Sequence, residues 1–291
     1  MLISEALRWA KDFLSRSGIP NPALDAEVLL AEVLRRDRSF LYSHPEFSLS
    51  PKAEELLRVW IGRRSRNLPV AYILGKKEFW SLEFRVTPAV LIPRPETEVL
   101  ATISVEKARE GRAELIVEVG CGSGALLVSL ARELVGSRFC AIDSSADALW
   151  VARQNAKRYG VEGRIVFLRG DLLAALRGLR WEGEVDLVVS NPPYIPRGEI
   201  ADLPRDIRLY EPRRALDGGK EGLSFYRRLI PQGARFLRPG GWLIVEMGQD
   251  QGKAIRGLLT QNRGFGKVSA AKDYQGIERV LSARKLKRYY R

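Results

Sequence analysis

The sequence is poor in the residues that most often carry metal and nucleophile chemistry. It has one histidine, His44, and two cysteines, Cys121 and Cys140, in 291 residues. A single histidine leaves little scope for a histidine-based metal site or catalytic triad. Two cysteines, one on a glycine turn and one in an apolar run, fall short of a disulfide framework or a zinc site, so a reducing cytoplasm is the expected setting. No window reaches the ~18 uninterrupted apolar residues of a membrane span. The start, Met1-Leu2-Ile3-Ser4-Glu5-Ala6-Leu7-Arg8, has an early acid and no basic stretch ahead of an apolar core, so no signal peptide is expected. Acidic residues are in deficit: 48 Lys and Arg against 35 Asp and Glu leave a net charge of +13. That excess suits an anionic partner such as RNA, DNA or an acidic protein, and equally describes a charge-laced surface with no such partner. The densest basic run is the terminal Arg284-Lys285-Leu286-Lys287-Arg288-Tyr289-Tyr290-Arg291.

What is present is a globular composition, 45% hydrophobic and 29% charged, long enough for a large core and two domains. Residues 1–76 read as a small helical bundle. Leu2, Ala6, Leu7, Ala10 and Leu14 form a helical stripe, and Ser17-Gly18-Ile19-Pro20 interrupts it. Asn21-Pro22 and Ser50-Pro51 each pair a capping residue with proline at the first helical position. The stripes that follow are Leu24, Val28, Leu29, Val33, Leu34, and then Leu56, Leu57, Val59, Trp60, Ile61. Over residues 77–92 the period shortens. Glu78-Phe79-Trp80-Ser81-Leu82-Glu83-Phe84-Arg85-Val86 predicts a β-hairpin linker. The remainder, 93–291, alternates strands and helices. Strands are expected at 114–119, 138–143, 164–168, 185–190 and 241–247, with helices at 123–135, 146–159 and 222–237. Two further strands within 266–283, including an antiparallel pair, complete a mostly parallel seven-stranded sheet in an α/β arrangement.

Two constellations carry chemistry. The first is Glu118-Val119-Gly120-Cys121-Gly122-Ser123-Gly124, where a strand turns into a helix. Glycines there permit a tight turn and close approach of a ligand to the backbone. The acidic-x-Gly-x-Gly-x-Gly spacing departs from Gly-x-Gly-x-x-Gly and is that of many methyltransferases. Asp143 ends the next strand, where a carboxylate can accept from both ribose hydroxyls of an adenosine ligand. NAD and S-adenosylmethionine (SAM) both meet that description, as does a simple helix cap. Gly170-Asp171-Leu172 ends the third strand, where an acid can meet an adenine amino group and an apolar residue can cover the ring.

The second constellation is Asn191-Pro192-Pro193-Tyr194, at the end of the apolar run 185–190. An amide or aromatic amine nitrogen is a poor nucleophile because its lone pair is delocalised. The Asn191 side-chain oxygen and the Pro192 carbonyl can each accept one N–H of such a group and aim its lone pair at a methyl donor. Pro192 and Pro193 stiffen the loop by fixing φ, and Tyr194 offers an aromatic face for a planar acceptor. A proline-stiffened loop without chemistry is the plainer alternative.

Together these residues resemble the bacterial release factor glutamine methyltransferases, the PrmC or HemK group. The likeness runs along nearly the whole chain. It includes Pro69-Val70-Ala71-Tyr72-Ile73-Leu74-Gly75, Glu78-Phe79-Trp80, Ile92-Pro93-Arg94-Pro95-Glu96-Thr97-Glu98, the two constellations, Tyr210-Glu211-Pro212, Ala215-Leu216-Asp217-Gly218-Gly219 and Gly222-Leu223. The resemblance implies a Rossmann-like SAM-dependent catalytic domain, 93–291, behind a helical substrate-docking domain, 1–76. It implies methyl transfer from SAM to the glutamine amide in the Gly-Gly-Gln loop of peptide-chain release factors. On it, Gly120, Cys121, Gly122, Ser123, Gly124, Asp143, Leu172 and Asn191 bind SAM, while Asn191, Pro192, Pro193 and Tyr194 hold the glutamine. Asn191, Pro192 and Tyr194 form the catalytic group, without a metal. The 93–98 arm lines the site, with Arg94 and Glu96 ordering it.

Three other readings share these features. Asn-Pro-Pro-Tyr also serves enzymes that methylate amino groups of nucleic-acid bases, which fits the +13 charge. A glutamine methyltransferase for a ribosomal protein has the same loop but typically continues its arm as Pro-Arg-Ser-Pro. A binding module could keep the fold without activity.

Overall fold

The computed structural model describes residues 1–286, so residues 287–291 of the basic run lie outside the described residues. The chain forms two compact units. One is Met1–Lys76 with Pro204–Tyr210, and the other is Lys77–Leu203 with the described residues from Glu211 onward.

The first unit is helical: α1 (Ile3–Arg16), α2 (Pro22–Leu34), α3 (Arg38–Ser43), α4 (Pro51–Arg64) and α5 (Val70–Leu74). Ser50 caps α4, accepting from Ala53 N at 3.2 Å ahead of Pro51. Asn21 occupies the corresponding place before α2 but makes no such bond. Ile3, Ala6, Ala10 and Leu14 of α1 pack with Leu29, Leu30, Leu57 and Ile61 in one core. The helical periods expected here are right, and Leu29, Leu57 and Ile61 are core as expected, but three stripe positions are not. Leu24, Leu56 and Val59 are exposed, while Ala26 and Arg64 are buried. Arg64 goes inside because Asp25 meets its Nε at 2.6 Å, which pairs the charge that burial would otherwise penalise.

The second unit opens with the hairpin β1 (Lys76–Phe79) and β2 (Leu82–Arg85). Its turn residues, Trp80 and Ser81, both have positive φ, the twist that a two-residue hairpin demands. Next come α6 (Thr97–Gly111), β3 (Leu115–Val119), α7 (Ala125–Glu133), β4 (Arg138–Asp143), α8 (Ala146–Arg158), β5 (Ile165–Arg169) and β6 (Val185–Ser190). After β6 the short α9 (Arg205–Tyr210) joins the helical unit. The chain then returns through α10 (Ser224–Phe236), β7 (Leu237–Glu246), α11 (Gly252–Gln261), β8 (Phe265–Lys272) and β9 (Glu278–Lys285). Helix α11 was not anticipated.

The seven-stranded sheet runs β5-β4-β3-β6-β7-β9-β8. β5, β4, β3, β6 and β7 are parallel, and β9 pairs antiparallel with both β7 and β8. Alternate residues of β3 feed opposite cores. Ile116 packs with α6, α7 and α8, whereas Leu115, Val117 and Val119 pack with α10 and α11. Every residue of β3 and β6 is buried, which accounts for their near-continuous apolar sequence. Each such Val, Ile or Leu contributes about 1.5–3 kcal/mol on burial. Strand order reverses between β3 and β6, so the crevice at their carboxyl ends is where an open α/β sheet places its ligand.

Candidate active site

The glycine turn leaves β3 at this crevice. Gly120, Gly122 and Gly124 all have positive φ. A Cβ on Gly122 would meet nothing within 4 Å, so its backbone is open to a ligand. Gly124 differs: a Cβ there would lie 2.9 Å from Ala152 Cβ, because α7 starts hard against α8. Asp143, at the end of β4, accepts from Gly122 N at 3.0 Å and from Ser145 N at 2.9 Å, which fixes its carboxylate beside the turn. Asn155 of α8 secures the other side. Its Nδ2 donates to Ser123 O at 2.8 Å and to Arg85 O at 3.0 Å, while its Oδ1 accepts from Arg85 N at 2.8 Å. The turn and the hairpin are therefore one hydrogen-bonded assembly.

Glu118 lies just before the turn and is fully buried. Burial pushes its carboxyl well above the usual range, Leu127 N–H opposes this, and the like charge of Asp143 adds to it. Its Oε2 has no hydrogen-bond partner among the described residues. Burial also raises the Cys121 thiol well above its ordinary value, so it stands as a neutral wall and not as a nucleophile. Leu172 is buried with φ +53°, a strained conformation for a leucine, and it lines the same cleft. Asp171 also lines it and pairs with Arg228.

The acceptor loop begins where β6 ends. Val119 is in register with Ser190, so Gly120 and Asn191 leave neighbouring strands side by side. Asn191 Nδ2 donates to Thr97 Oγ1 at 3.1 Å. Asn191, Pro192 and Pro193 line the cleft with Gly120, Cys121, Gly122, Ser123, Asp143 and Leu172. Tyr194 is placed differently. Its ring packs against the core on the α10–α11 face, and its hydroxyl lies 3.5 Å from Glu246 Oε1. Its main-chain oxygen accepts from Gln251 Nε2 at 2.8 Å. The loop is also backed by Gly222, φ +71°, where a Cβ would fall 2.2 Å from Tyr194 O. No larger residue could pass so close.

Several residues of this site were not singled out from the sequence for the part they take. Arg214 donates to Ala89 O at 3.1 Å and to Ser145 Oγ at 2.7 Å across one rim. Glu211 is buried and pairs with Arg94, and it also accepts from Ile92 N at 3.3 Å, which ties down the 93–98 arm. Thr97 and Glu246 stand behind Asn191. Only strand order brings Glu246 there.

The cleft encloses about 1060 Å³ of empty space, part of it open to solvent. Its donors fit SAM. The open glycine backbone admits a ligand, Asp143 keeps lone pairs for hydroxyls, and the unpartnered Glu118 oxygen suits a cationic ligand. Among the described residues no cluster of His, Cys, Asp and Glu could hold a metal ion, and no helix is long and apolar enough to cross a membrane.

Comparison with known proteins agrees with this geometry. Residues 5–75 match the family model described as PrmC N-terminal domain, and residues 116–208 match a methyltransferase domain. A release factor glutamine methyltransferase of Moorella thermoacetica is 42% identical over 283 residues, 97% of this chain and 98% of that protein. One of Geobacter sulfurreducens is 39% identical over 282 residues, 97% of this chain and 96% of that protein. Among solved structures, a methyltransferase from Pyrococcus furiosus shares the fold with a TM-score of 0.52 at 19% identity, covering 77% of this chain and 98% of that one. With a donor cleft and an Asn-Pro-Pro-Tyr loop on adjacent strands, and relatives matching from end to end, the chain belongs to the release factor glutamine methyltransferases.

Proposed function

We propose that this protein transfers a methyl group from SAM to the side-chain amide nitrogen of a release factor glutamine, the glutamine of the Gly-Gly-Gln loop. The observation that carries the reading is the shared cleft: the glycine turn of β3 and the Asn191-Pro192 pair of β6 open into one cavity. SAM, when bound, supplies an electrophilic methyl. The chain's own residues bind and orient. Gly120, Cys121, Gly122, Ser123 and Gly124 cradle the donor, Asp143 accepts from its ribose hydroxyls, and Leu172 covers its ring. Asn191 Oδ1 and the Pro192 carbonyl accept the two N–H groups of the glutamine amide and turn its lone pair toward the methyl. Pro193 holds the loop rigid. Tyr194 is expected to pack on the planar acceptor, but its ring packs against the core and is not among the residues lining the cleft, so its part in this reading is to brace the loop from behind. Asn191 cannot accept a proton at neutral pH, so the amide proton passes to water.

The helical unit is assigned the docking of the release factor, because it matches the family's N-terminal model. The buried, unbridged thiols Cys121 and Cys140 suit a cytoplasmic enzyme. Mass spectrometry of an unmethylated release factor after incubation with the protein and SAM tests the reading. One added methyl on the Gly-Gly-Gln glutamine, absent with Asn191→Ala, is expected. An unmodified glutamine despite SAM binding would move the acceptor to a ribosomal-protein glutamine or a nucleic-acid amino group.

A further inference from the structure

We propose that Asn155 is a positioning residue for the methyl donor: its one side-chain amide pins the carbonyl of Ser123 in the glycine turn and both main-chain groups of Arg85 in the hairpin, so that the floor and one wall of the donor cleft hold their places together. This rests on the donor site proposed above.

Asn155 breaks the pattern of its helix. The buried face of α8 is Ala148, Val151, Ala152, Asn155 and Ala156, apolar but for this one residue. Asparagine is a weaker helix former than alanine, and a buried amide is costly unless it is hydrogen-bonded. Asn155 is 1% exposed. Three main-chain groups satisfy it. Its Nδ2 donates to Ser123 O at 2.8 Å and to Arg85 O at 3.0 Å, and its Oδ1 accepts from Arg85 N at 2.8 Å. Carbonyls only accept and an N–H only donates, so all three partners agree on which end of the amide is which. Both amide hydrogens are taken, so the side chain acts through the groups it holds and not by touching a ligand.

At the turn, the bond matters because of what flanks Ser123. Gly122 and Gly124 both have positive φ, and glycine places little restraint on how a peptide plane turns. The Ser123–Gly124 peptide is held at both ends: Asn155 takes its carbonyl, and its N–H donates to Cys121 O at 2.7 Å. Asp143 holds the same turn at Gly122 N. Without Asn155, the Ser123 carbonyl loses this partner and can swing into the face that Gly122 keeps open for the donor.

At the hairpin, Asn155 takes the place of a neighbouring strand. It meets the N–H and the C=O of one residue, Arg85 of β2, as a strand partner would. The paired strand β1 ends in Phe79, which lines the cleft with Gly122 and Ser123. Two other bonds anchor the hairpin: Tyr159 Oη donates to Glu83 O at 2.7 Å, and Trp80 N donates to Glu98 Oε1 at 2.9 Å. Of these three anchors, Asn155 is the one that also holds the turn. Ordering the turn around a donor therefore orders Arg85, and an ordered Arg85 tightens the donor site, because such coupling is reciprocal.

The test is SAM affinity by calorimetry for wild type, Asn155→Asp, Asn155→Ala and Tyr159→Phe, with thermal melting of each and kcat at saturating SAM. Aspartate keeps the shape and the acceptor for Arg85 N, but when ionised it has no hydrogen for either carbonyl. Alanine suits the apolar stripe and removes all three bonds. Both should weaken SAM binding by about tenfold or more, and should lower kcat at saturating SAM by less than they lower affinity. Tyr159→Phe loosens the hairpin without touching the turn, and should lower the melting temperature while SAM affinity stays at the wild-type value. Hydrogen exchange of the wild type needs no variant to fold: saturating SAM should slow exchange of Arg85 N–H more than that of Trp80 N–H, which Glu98 holds in the same hairpin. Unchanged SAM affinity in a folded Asn155 variant, equal weakening in Tyr159→Phe, or equal slowing of the two amides overturns the inference. A wild type that binds no SAM overturns the donor site, and this inference with it.

Discussion

Gly122 and Gly124 offer a controlled comparison, because both have positive φ and only one is crowded. At Gly122, φ +53°, an added Cβ meets nothing within 4 Å. At Gly124, φ +75°, it would fall 2.9 Å from Ala152 Cβ and 3.1 Å from its Cα. Left-handed backbone costs alanine about 1–2 kcal/mol at either position. Overpacking against α8 adds about 1–3 kcal/mol at Gly124 alone. The gain from stiffening the unfolded chain, about 0.4–1 kcal/mol, applies to both and cancels in the difference. Gly124→Ala should therefore be the less stable variant by about 1–3 kcal/mol, a sizeable share of the ~5–15 kcal/mol that domains possess. Urea denaturation followed by circular dichroism and by tryptophan fluorescence measures it, and non-coincident curves would reveal separate transitions of the two units. Equal midpoints and slopes for the two variants would refute the packing argument. Calorimetry supplies the functional half: Gly122→Ala should stay well folded yet bind SAM weakly, because its new methyl occupies the open face of the turn.

Two further outcomes are expected. Asp143→Ala should weaken SAM binding by about 2–3 kcal/mol, on the order of 100-fold, as charge-assisted hydrogen bonds to hydroxyls are lost; equal affinity by calorimetry would remove Asp143 from the donor site. Glu246→Gln should change stability with pH: the folded carboxyl sits at about 7 against an unfolded value of 4.5, so wild-type stability is fully present below 4.5 and falls as pH rises to about 7. The variant lacks that loss, and its stability relative to wild type should grow over this window by up to about 3 kcal/mol and then level off; a difference constant from pH 4.5 to 8, by urea denaturation, would show that the Glu246 carboxyl is not raised in the folded protein.

The sheet and the glycine turn were legible because their signals are local. β3 and β6 are buried on both faces, so apolar character is continuous along them. A glycine at every second position after Glu118 has few uses other than a ligand turn. The helical unit was legible in period and in most of its core positions. Leu24 and Val59 look like core but face outward, and Arg64 takes an interior place that Asp25, far away in sequence, makes tolerable. The hairpin carries no Asn-Gly; Trp80 and Ser81 adopt its positive φ instead, and Glu98 Oε1 accepts from Trp80 N at 2.9 Å. The joining of Pro204–Tyr210 to the helical unit leaves no mark in residue pattern. Asn155, Arg214 and Glu246 were unreadable for the same reason: each lies beside a residue that topology, and not sequence distance, brings near it.

Two of this unit's buried carboxylates, Glu118 and Glu246, are incompletely paired. β6 runs between β3 and β7, so Glu118 lies beside Val189 on one side of it and Glu246 next to Asn191 on the other. Burial pushes both acids upward, and each leaves one oxygen without a partner among the described residues. Apolar replacements of similar size would stabilise a core at such places. Their surroundings, however, are not alike. Glu118 faces the donor half of the cleft, where a cationic ligand can complete it. Glu246 faces no ligand; hydroxyls and Arg279 hold it within reach of neutrality. The first acid can therefore be satisfied by binding, while the second keeps one oxygen without a partner among the described residues. A sheet selected for stability alone would keep neither, and the site gives up stability at the two strand ends that flank the acceptor.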